Sequence, residues 1–216
     1  FAMMAVGNSA SAYYMQYNLG HAEALPIFNA LGSIPAFIFM PLVPAIKRAI
    51  GKKRMFYVFL TVAIIGMAMM YVISTVPSLR AQLWLVYVAQ FVKSTGIIVA
   101  TGYMWALVPE VISFGEWKTG KRIAGVVNAL TGIFFKAGFA LGGVIPGVVL
   151  ALTSFDAKAP EQSALAQQGI LWLVVILPAI LLLLAMFIIS KYELEDDKID
   201  EINREIEARH RGSSSR

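Results

Sequence analysis

Apolar runs of about twenty residues alternate along the chain with short polar stretches. As an α-helix rising about 1.5 Å per residue, such a run crosses a hydrocarbon core of roughly 30 Å. Six segments fit that description: Phe1–Leu19, Leu25–Ile46, Met55–Ile73, Leu83–Ile112, Ile123–Leu152 and Gly169–Ser190. The fourth and fifth are longer than a straight crossing needs, so they must tilt, bend or protrude. Beyond the sixth the pattern changes. Residues 191–216 carry eight acids, and Ile199, Ile202 and Ile206 fall on one helical stripe. Asp200–Arg204 and Glu205–Arg209 place acid before base at i,i+4, worth a few tenths of a kcal/mol per pair on a solvated helix. The pattern predicts an all-α polytopic membrane protein: a six-transmembrane-helix bundle over 1–190, then a charged helical tail over 191–216.

Loop charges orient the bundle. The second-to-third connection holds Lys47, Arg48, Lys52, Lys53 and Arg54; the fourth-to-fifth holds Lys118, Lys121 and Arg122; the tail adds six more. Fourteen of the eighteen basic residues thus lie on one side, against Arg80 and Lys158 on the other. The positive-inside rule makes the richer side cytoplasmic, which directs the first span outward and leaves the carboxyl terminus inside. The net charge of +5 and isoelectric point near 9.5 are therefore a topology signal, and no nucleic-acid partner is expected. Membrane lipid is the expected surrounding.

Composition agrees and narrows the chemistry. Of 216 residues 58% are hydrophobic and 14% charged, with a mean hydropathy of +0.71; soluble domains carry roughly a quarter charged residues. There is no cysteine, so thiolate ligands and disulfides are excluded. His21 and His210 are far apart and outside the apolar runs, so no imidazole metal site is expected. A zinc-protease motif and a glycine-rich phosphate loop are both missing. Neither an enzyme nor an ATP-driven pump is indicated, and no cofactor is expected. The chain opens on Phe1 within an apolar run, without the basic start of a signal peptide, and is read as a truncated piece.

Two lysines interrupt the spans. Lys93 lies ten residues past Leu83, about 15 Å from the outer end, and Lys136 fourteen past Arg122, about 21 Å from the cytoplasmic end. Insertion scales put a lysine at the bilayer centre at about +2.5 to +3.5 kcal/mol, so each is a functional-site hypothesis. The acids within reach of the spans, Glu23, Glu110, Glu116, Asp156 and Glu161, all sit toward their ends. Counter-charges must then come from another chain or a missing part of this one. Asn128, Gly132 and Lys136 recur at i,i+4,i+8 with Thr131 beside them, and Gln90 and Lys93 stand at i,i+3. Gly138/Gly142 and Gly143/Gly147 are small-xxx-small pairs suited to close helix approach. In the unusually polar first span, Asn8 with Tyr13 or Tyr14 could line an aqueous path.

One stretch is specific. Trp105-Ala-Leu-Val-Pro-Glu-Val-Ile-Ser-Phe-Gly-Glu-Trp-Lys-Thr-Gly-Lys-Arg122 resembles the W-A-x-x-A-D-x-V-D-Y-G-E-W-K-T-G-K-R stretch of the glycoside–pentoside–hexuronide:cation symporters. These are melibiose-permease-like carriers of the major facilitator superfamily. Tyr13–Gly20, the loop ending Gly51-Lys-Lys-Arg54, and Phe134–Gly143 resemble the family's seventh span, eighth-to-ninth loop and eleventh span. The resemblance implies the carboxyl-terminal six-helix half of a twelve-span cytoplasmic (inner) membrane carrier. Such carriers take a sugar, glycoside or hexuronide together with Na⁺, H⁺ or Li⁺. The coupling cation would sit mainly in the missing amino-terminal half. Lys136 matches the family lysine near the sugar and cation sites, and Thr131 and Gly132 match positions that approach the sugar. Asn128, Lys93, Gln90 and Tyr14 complete the candidate substrate site. Glu110, Glu116, Lys118, Lys121 and Arg122 form the candidate gating loop; Ser113 stands where the family has a second acid. Lipid or lysolipid carriage on the same fold, and a non-transporting sensor or scaffold, are the alternatives.

Overall fold

The computed structural model describes residues 1–121, 123–192 and 196–214. Every regular element among them is helical. Helix α1 (Ala2–Tyr13) continues through a π-helical turn, Tyr14–Asn18. Helix α2 (Leu25–Phe39) is joined by a 3₁₀ turn, Met40–Leu42, to α3 (Val43–Ile50). Then come α4 (Lys52–Thr75), the short α5 (Pro77–Arg80), α6 (Leu83–Thr119) and α7 (Ala124–Leu152). Helix α8 (Ala164–Leu171) passes through a π-turn at Trp172–Ile176 into α9 (Leu177–Ser190), and α10 (Asp196–Ser214) forms the tail. Among the described residues, five continuous helical stretches are long and apolar enough to cross a membrane: Ala22–Ile50, Lys52–Thr75, Leu83–Thr119, Ala124–Leu152 and Ala164–Ser190. The first apolar run is helical too, but shorter.

Two expected boundaries move. The fourth span does not stop at Ile112; α6 runs on through Thr119 and takes in the stretch read as a loop. Pro109 removes one backbone donor inside it without ending the helix, as neighbouring helices permit in membrane spans. Gly120, at φ 68°, supplies the left-handed turn that ends it. Glu116 and Lys118 are therefore helical residues, while Lys121 lies in the connection. The sixth span starts earlier, at Ala164, where the Ser163 hydroxyl accepts the Ala166 amide at 3.1 Å as a cap. Its π-turn lies just before Pro178, whose ring excludes the carbonyl four residues back from ordinary helical bonding.

Glycines set the helix contacts. At Gly66 on α4 any Cβ would fall on the Lys93 backbone of α6, and at Gly96 on α6 it would meet Phe59 and Ala63 of α4. These reciprocal gaps let α4 and α6 lie backbone to backbone. Gly142 of α7 meets Ala5 of α1, whereas Gly143 and Gly147 face open space, so only one small-residue pair is used within this bundle. Fully buried Met15, Met55, Met67 and Met70 fill the centre; flexible thioethers suit such irregular gaps. The outer surface is apolar: Phe37 is 83%, Leu152 77% and Phe134 72% exposed. A soluble monomer rarely shows so much contiguous apolar surface; this is a multi-pass membrane protein.

Candidate functional site

Helices α1, α2 and α6, with the sixth span behind them, enclose a cavity of about 440 Å³. Asn8 and Ser11 project into it from α1, and Phe28, Asn29, Gly32 and Ser33 from α2. Gln90, Lys93 and Ser94 come from α6; Met67, Val174 and Pro178 form part of the floor. The i,i+3 spacing of Gln90 and Lys93 puts both on the cavity side of α6. The Ser11 and Ser33 hydroxyls donate to the Asn8 and Asn29 carbonyls at 2.8 and 3.2 Å. Gln90 is 6% exposed, and its Oε1 has no hydrogen-bond partner among the described residues. Lys93 Nζ sits 5.6 Å from the centre of the Phe28 ring, a cation–π contact. No carboxylate lines this cavity among the described residues.

The other candidate substrate residues lie elsewhere. Lys136 and Asn128 are exposed on α7, while Thr131 and Gly132 are partly buried. None of the four lines the cavity. The Thr131 hydroxyl donates to the Val127 carbonyl at 2.8 Å, and the space beside Gly132 is open. One residue before Lys136, Phe135 packs on Phe1 and Phe139, with ring centres 4.6 and 4.9 Å away, and on Trp105 at 6.0 Å. The arc Asn128–Gly132–Lys136 is thus a surface of α7, separated from Lys93 and Gln90. Asn8, from the polar first span, does reach the cavity.

Tyr14 does not line the cavity. It is 0% exposed, its hydroxyl lies 2.7 Å from the Ser74 hydroxyl and 3.5 Å from the Met70 carbonyl, and Arg80 donates to the Ser74 carbonyl. Its polar atom is spent in tying the first span to the third. The sequence shows that Tyr14 is deep but not that Ser74 waits opposite.

The candidate gating residues divide as well. Glu110 accepts from Lys52 Nζ at 2.5 Å and from the Tyr192 hydroxyl at 3.0 Å, with the Lys52 and Glu110 side chains only 5% and 11% exposed. Lys52, read as a loop charge, is instead a buried partner of α6. Breaking such a pair by removing one member costs about 3–5 kcal/mol. Trp117 donates to Glu205 of α10 at 2.6 Å, and Ile199 and Ile202 pack against Phe114 and Trp117. The isoleucine stripe of the tail finds its apolar partner at the end of α6. Glu116 lies on the same turn of α6, Lys118 sits 6.0 Å from the Phe114 ring, and Lys121 is exposed. Arg122 lies outside the described residues. Among the described residues no acid–histidine cluster could hold a metal.

A family model described as MFS/sugar transport protein matches residues 1–196. The chain is 37% identical over 209 residues to the uncharacterized symporter YnaJ of Bacillus subtilis, covering 97% of this chain and 44% of that protein. It is 32% identical to the glucuronide carrier protein homolog of Escherichia coli, covering 94% of this chain and 43% of that protein. It is 30% identical to a putative 2,3-dihydroxypropane-1-sulfonate exporter of Salmonella typhimurium, with 91% and 42% covered. The chain spans a little under half the length of these relatives.

Proposed function

The chain belongs to the MFS/sugar transport family, a family of carriers rather than enzymes, and from that membership we propose that it is the carboxyl-terminal half of a cation-coupled symporter for a sugar, glycoside or hexuronide. The observation that carries the reading is the cavity into which the polar side chains of Asn8, Asn29, Gln90 and Lys93 are gathered against an otherwise apolar lining. Its volume of about 440 Å³ falls in the range of roughly 300–1,000 Å³ usual for small-molecule sites. Hydroxyl and amide side chains around such a space can exchange hydrogen bonds with a polyol. The second support is the exposed arc Asn128–Gly132–Lys136 on α7, which offers a cation and an amide to a partner half. Alternating access would follow from rocking of the two halves about a midplane site. The coupling ion, Na⁺, H⁺ or Li⁺, belongs to the partner half in this reading. The carrier resides in the cytoplasmic membrane with α10 inside.

A second recess of about 410 Å³ between α7 and the sixth span is lined by Ile145, Val149, Leu165 and Trp172, with Thr153 and Gln168 as polar members. It is the observation that favours lipid carriage, but it offers no charged group for a headgroup. The sugar reading is the better supported.

Reconstitution tests it. Proteoliposomes holding the whole carrier should accumulate a labelled glycoside when a Na⁺ or H⁺ gradient is imposed, and lose accumulation when that gradient is collapsed. Vesicles holding only residues 1–216 should not accumulate it. Absence of gradient-driven uptake for every sugar and glycoside tried would overturn the reading.

A further inference from the structure

We propose that the groove between α4 and α9 seats an anionic membrane phospholipid, its phosphate held between Arg54 and Lys191 and an acyl chain lying along the groove. The inference goes beyond the carrier reading and requires only that these helices lie in a bilayer.

Two contacts fix how α4 and α9 meet. The Tyr57 hydroxyl donates to the Met186 carbonyl at 3.4 Å, and Lys52 Nζ lies 5.5 Å from the centre of the Tyr192 ring. Arg54 falls between the first members of these contacts and Lys191 between the second, so both cations stand at one level, where α4 begins and α9 ends. Direction follows from the helical period. With Tyr57 facing α9, a turn of about 100° per residue puts Arg54, Val58, Thr61 and Ile65 along one flank of α4. All four are exposed. With Met186 facing α4, the same rotation puts Leu183, Phe187 and Lys191 along one flank of α9, again all exposed. Because the two helices run antiparallel, these flanks lie on the same side of the groove. Leu60 and Leu182, on the opposite side, are buried. The groove therefore opens away from the core, with apolar walls and a cationic mouth. Lys191 Nζ lies 5.9 Å from the centre of the Phe187 ring, at the junction of the two.

Charge complementarity names the occupant. Lys52, two residues before Arg54, turns inward and receives Glu110 at 2.5 Å. Among the described residues no acid pairs with Arg54 or Lys191. A guanidinium fork matches two phosphate oxygens at once, and an ammonium adds a point charge beside it. Basic groups gathered between spans at headgroup level are suited to anionic lipid. A free phosphate would use the cations but leave the exposed Val58, Leu183 and Phe187 without a partner; a phospholipid satisfies both. The competing counter-ions are Glu193 and Glu195, which follow in the sequence and would abolish any lipid preference by neutralising the same cations.

The test uses the full-length carrier in phosphatidylcholine vesicles containing a minor fraction of phosphatidylglycerol, with Phe187→Trp as a fluorescent reporter in the groove. Bromine is placed on the acyl chains of one lipid or the other, and the difference from the carrier without Phe187→Trp isolates the reporter. Brominated phosphatidylglycerol should quench it roughly tenfold more per molecule than brominated phosphatidylcholine. Adding Arg54→Gln and Lys191→Gln should bring the ratio near one. Should that combination fail to fold, Lys191→Gln alone, at an exposed helix end, should lower the ratio several-fold. Lys118→Gln with Lys121→Gln removes the same charge from the end of α6 and should leave the ratio unchanged; an equal fall there would make the preference diffuse attraction and overturn the site. Equal quenching by the two lipids, or a preference that survives loss of both cations, overturns it too. Loss of quenching on adding millimolar glycerol phosphate would replace the lipid with a free phosphate. None of these failures touches the transport reading, because no cavity residue is involved.

Discussion

The cavity wall on α6 and the outer face of α7 each carry one lysine far from the ends of its helix, and the bundle places them in opposite circumstances. Lys93 is surrounded: Gly66 presses on its backbone, Phe28 covers its ammonium, and Gln90 stands beside it. Lys136 is exposed, with open space beside Gly132 one turn earlier. Depth along a helix follows from counting at about 1.5 Å per residue, and by that measure the two lysines are alike. Direction around the helix depends on which neighbour packs there, and no count reveals it. The difference teaches that depth alone does not place a side chain: Lys93 lines a cavity built by α1, α2 and α6, whereas Lys136 lies on an exposed face of α7.

The largest effect should come from removing the exposed lysine. In the full-length carrier, Lys136→Ala should cut coupled uptake roughly a hundredfold, the loss expected when a charge-assisted hydrogen bond is removed. Because Lys136 is exposed on α7, the amount of carrier in the membrane should stay near the wild-type level. Wild-type accumulation, or a fall in carrier amount that accounts for the lost uptake, would break the contrast by making Lys136 a structural residue.

Much of this was legible beforehand. The six apolar runs, the tail stripe of Ile199, Ile202 and Ile206, and the mid-span depth of both lysines all follow from periodicity and length. What the pattern could not supply were pairings across helices. Lys52 counts as a loop cation until α6 is seen to run past Pro109 and carry Glu110 to it. The Gly115–Thr119 stretch looks like a connection because glycine and polar residues crowd there, yet Gly120 is the residue that breaks the helix. Asn8 reaches the cavity and Tyr14, six residues on, does not. At 3.6 residues per turn, six positions carry Tyr14 about 120° round the helix from Asn8, so the two meet different neighbours.

An intermediate effect should separate the two regions by packing alone. At Gly66 even one methyl group would overlap the backbone of Lys93, which cannot move aside as a flexible side chain could. Gly66→Ala should therefore destabilise the carrier by about 1–3 kcal/mol, as overpacking does, and disturb the cavity by displacing α6. Gly132→Ala places its methyl in open space and removes a glycine from a helix, which is worth up to about 1 kcal/mol in favour of the fold. Melting of the detergent-solubilised carrier should thus fall for the first and hold or rise for the second. Similar losses at both positions would mean that the partner half packs against α7 at Gly132 as closely as α4 packs at Gly66.

The smallest effect concerns Tyr14, whose hydroxyl is committed to Ser74 at 2.7 Å. Tyr14→Phe keeps the ring, which is 0% exposed and lies 6.4 Å from the Phe28 ring, so packing toward the cavity wall is preserved. It removes one hydrogen bond, a change of about 0.5–1.5 kcal/mol. The Ser74 hydroxyl is not stranded by that loss, since it also donates to the Met70 carbonyl at 2.8 Å, so the cost should fall at the low end of that range. Glycoside affinity should be unchanged, because no polar atom of the cavity is touched. A several-fold loss of affinity with normal melting would return Tyr14 to the substrate site. A lowered melting temperature with normal affinity fixes it as the bridge between the first and third spans.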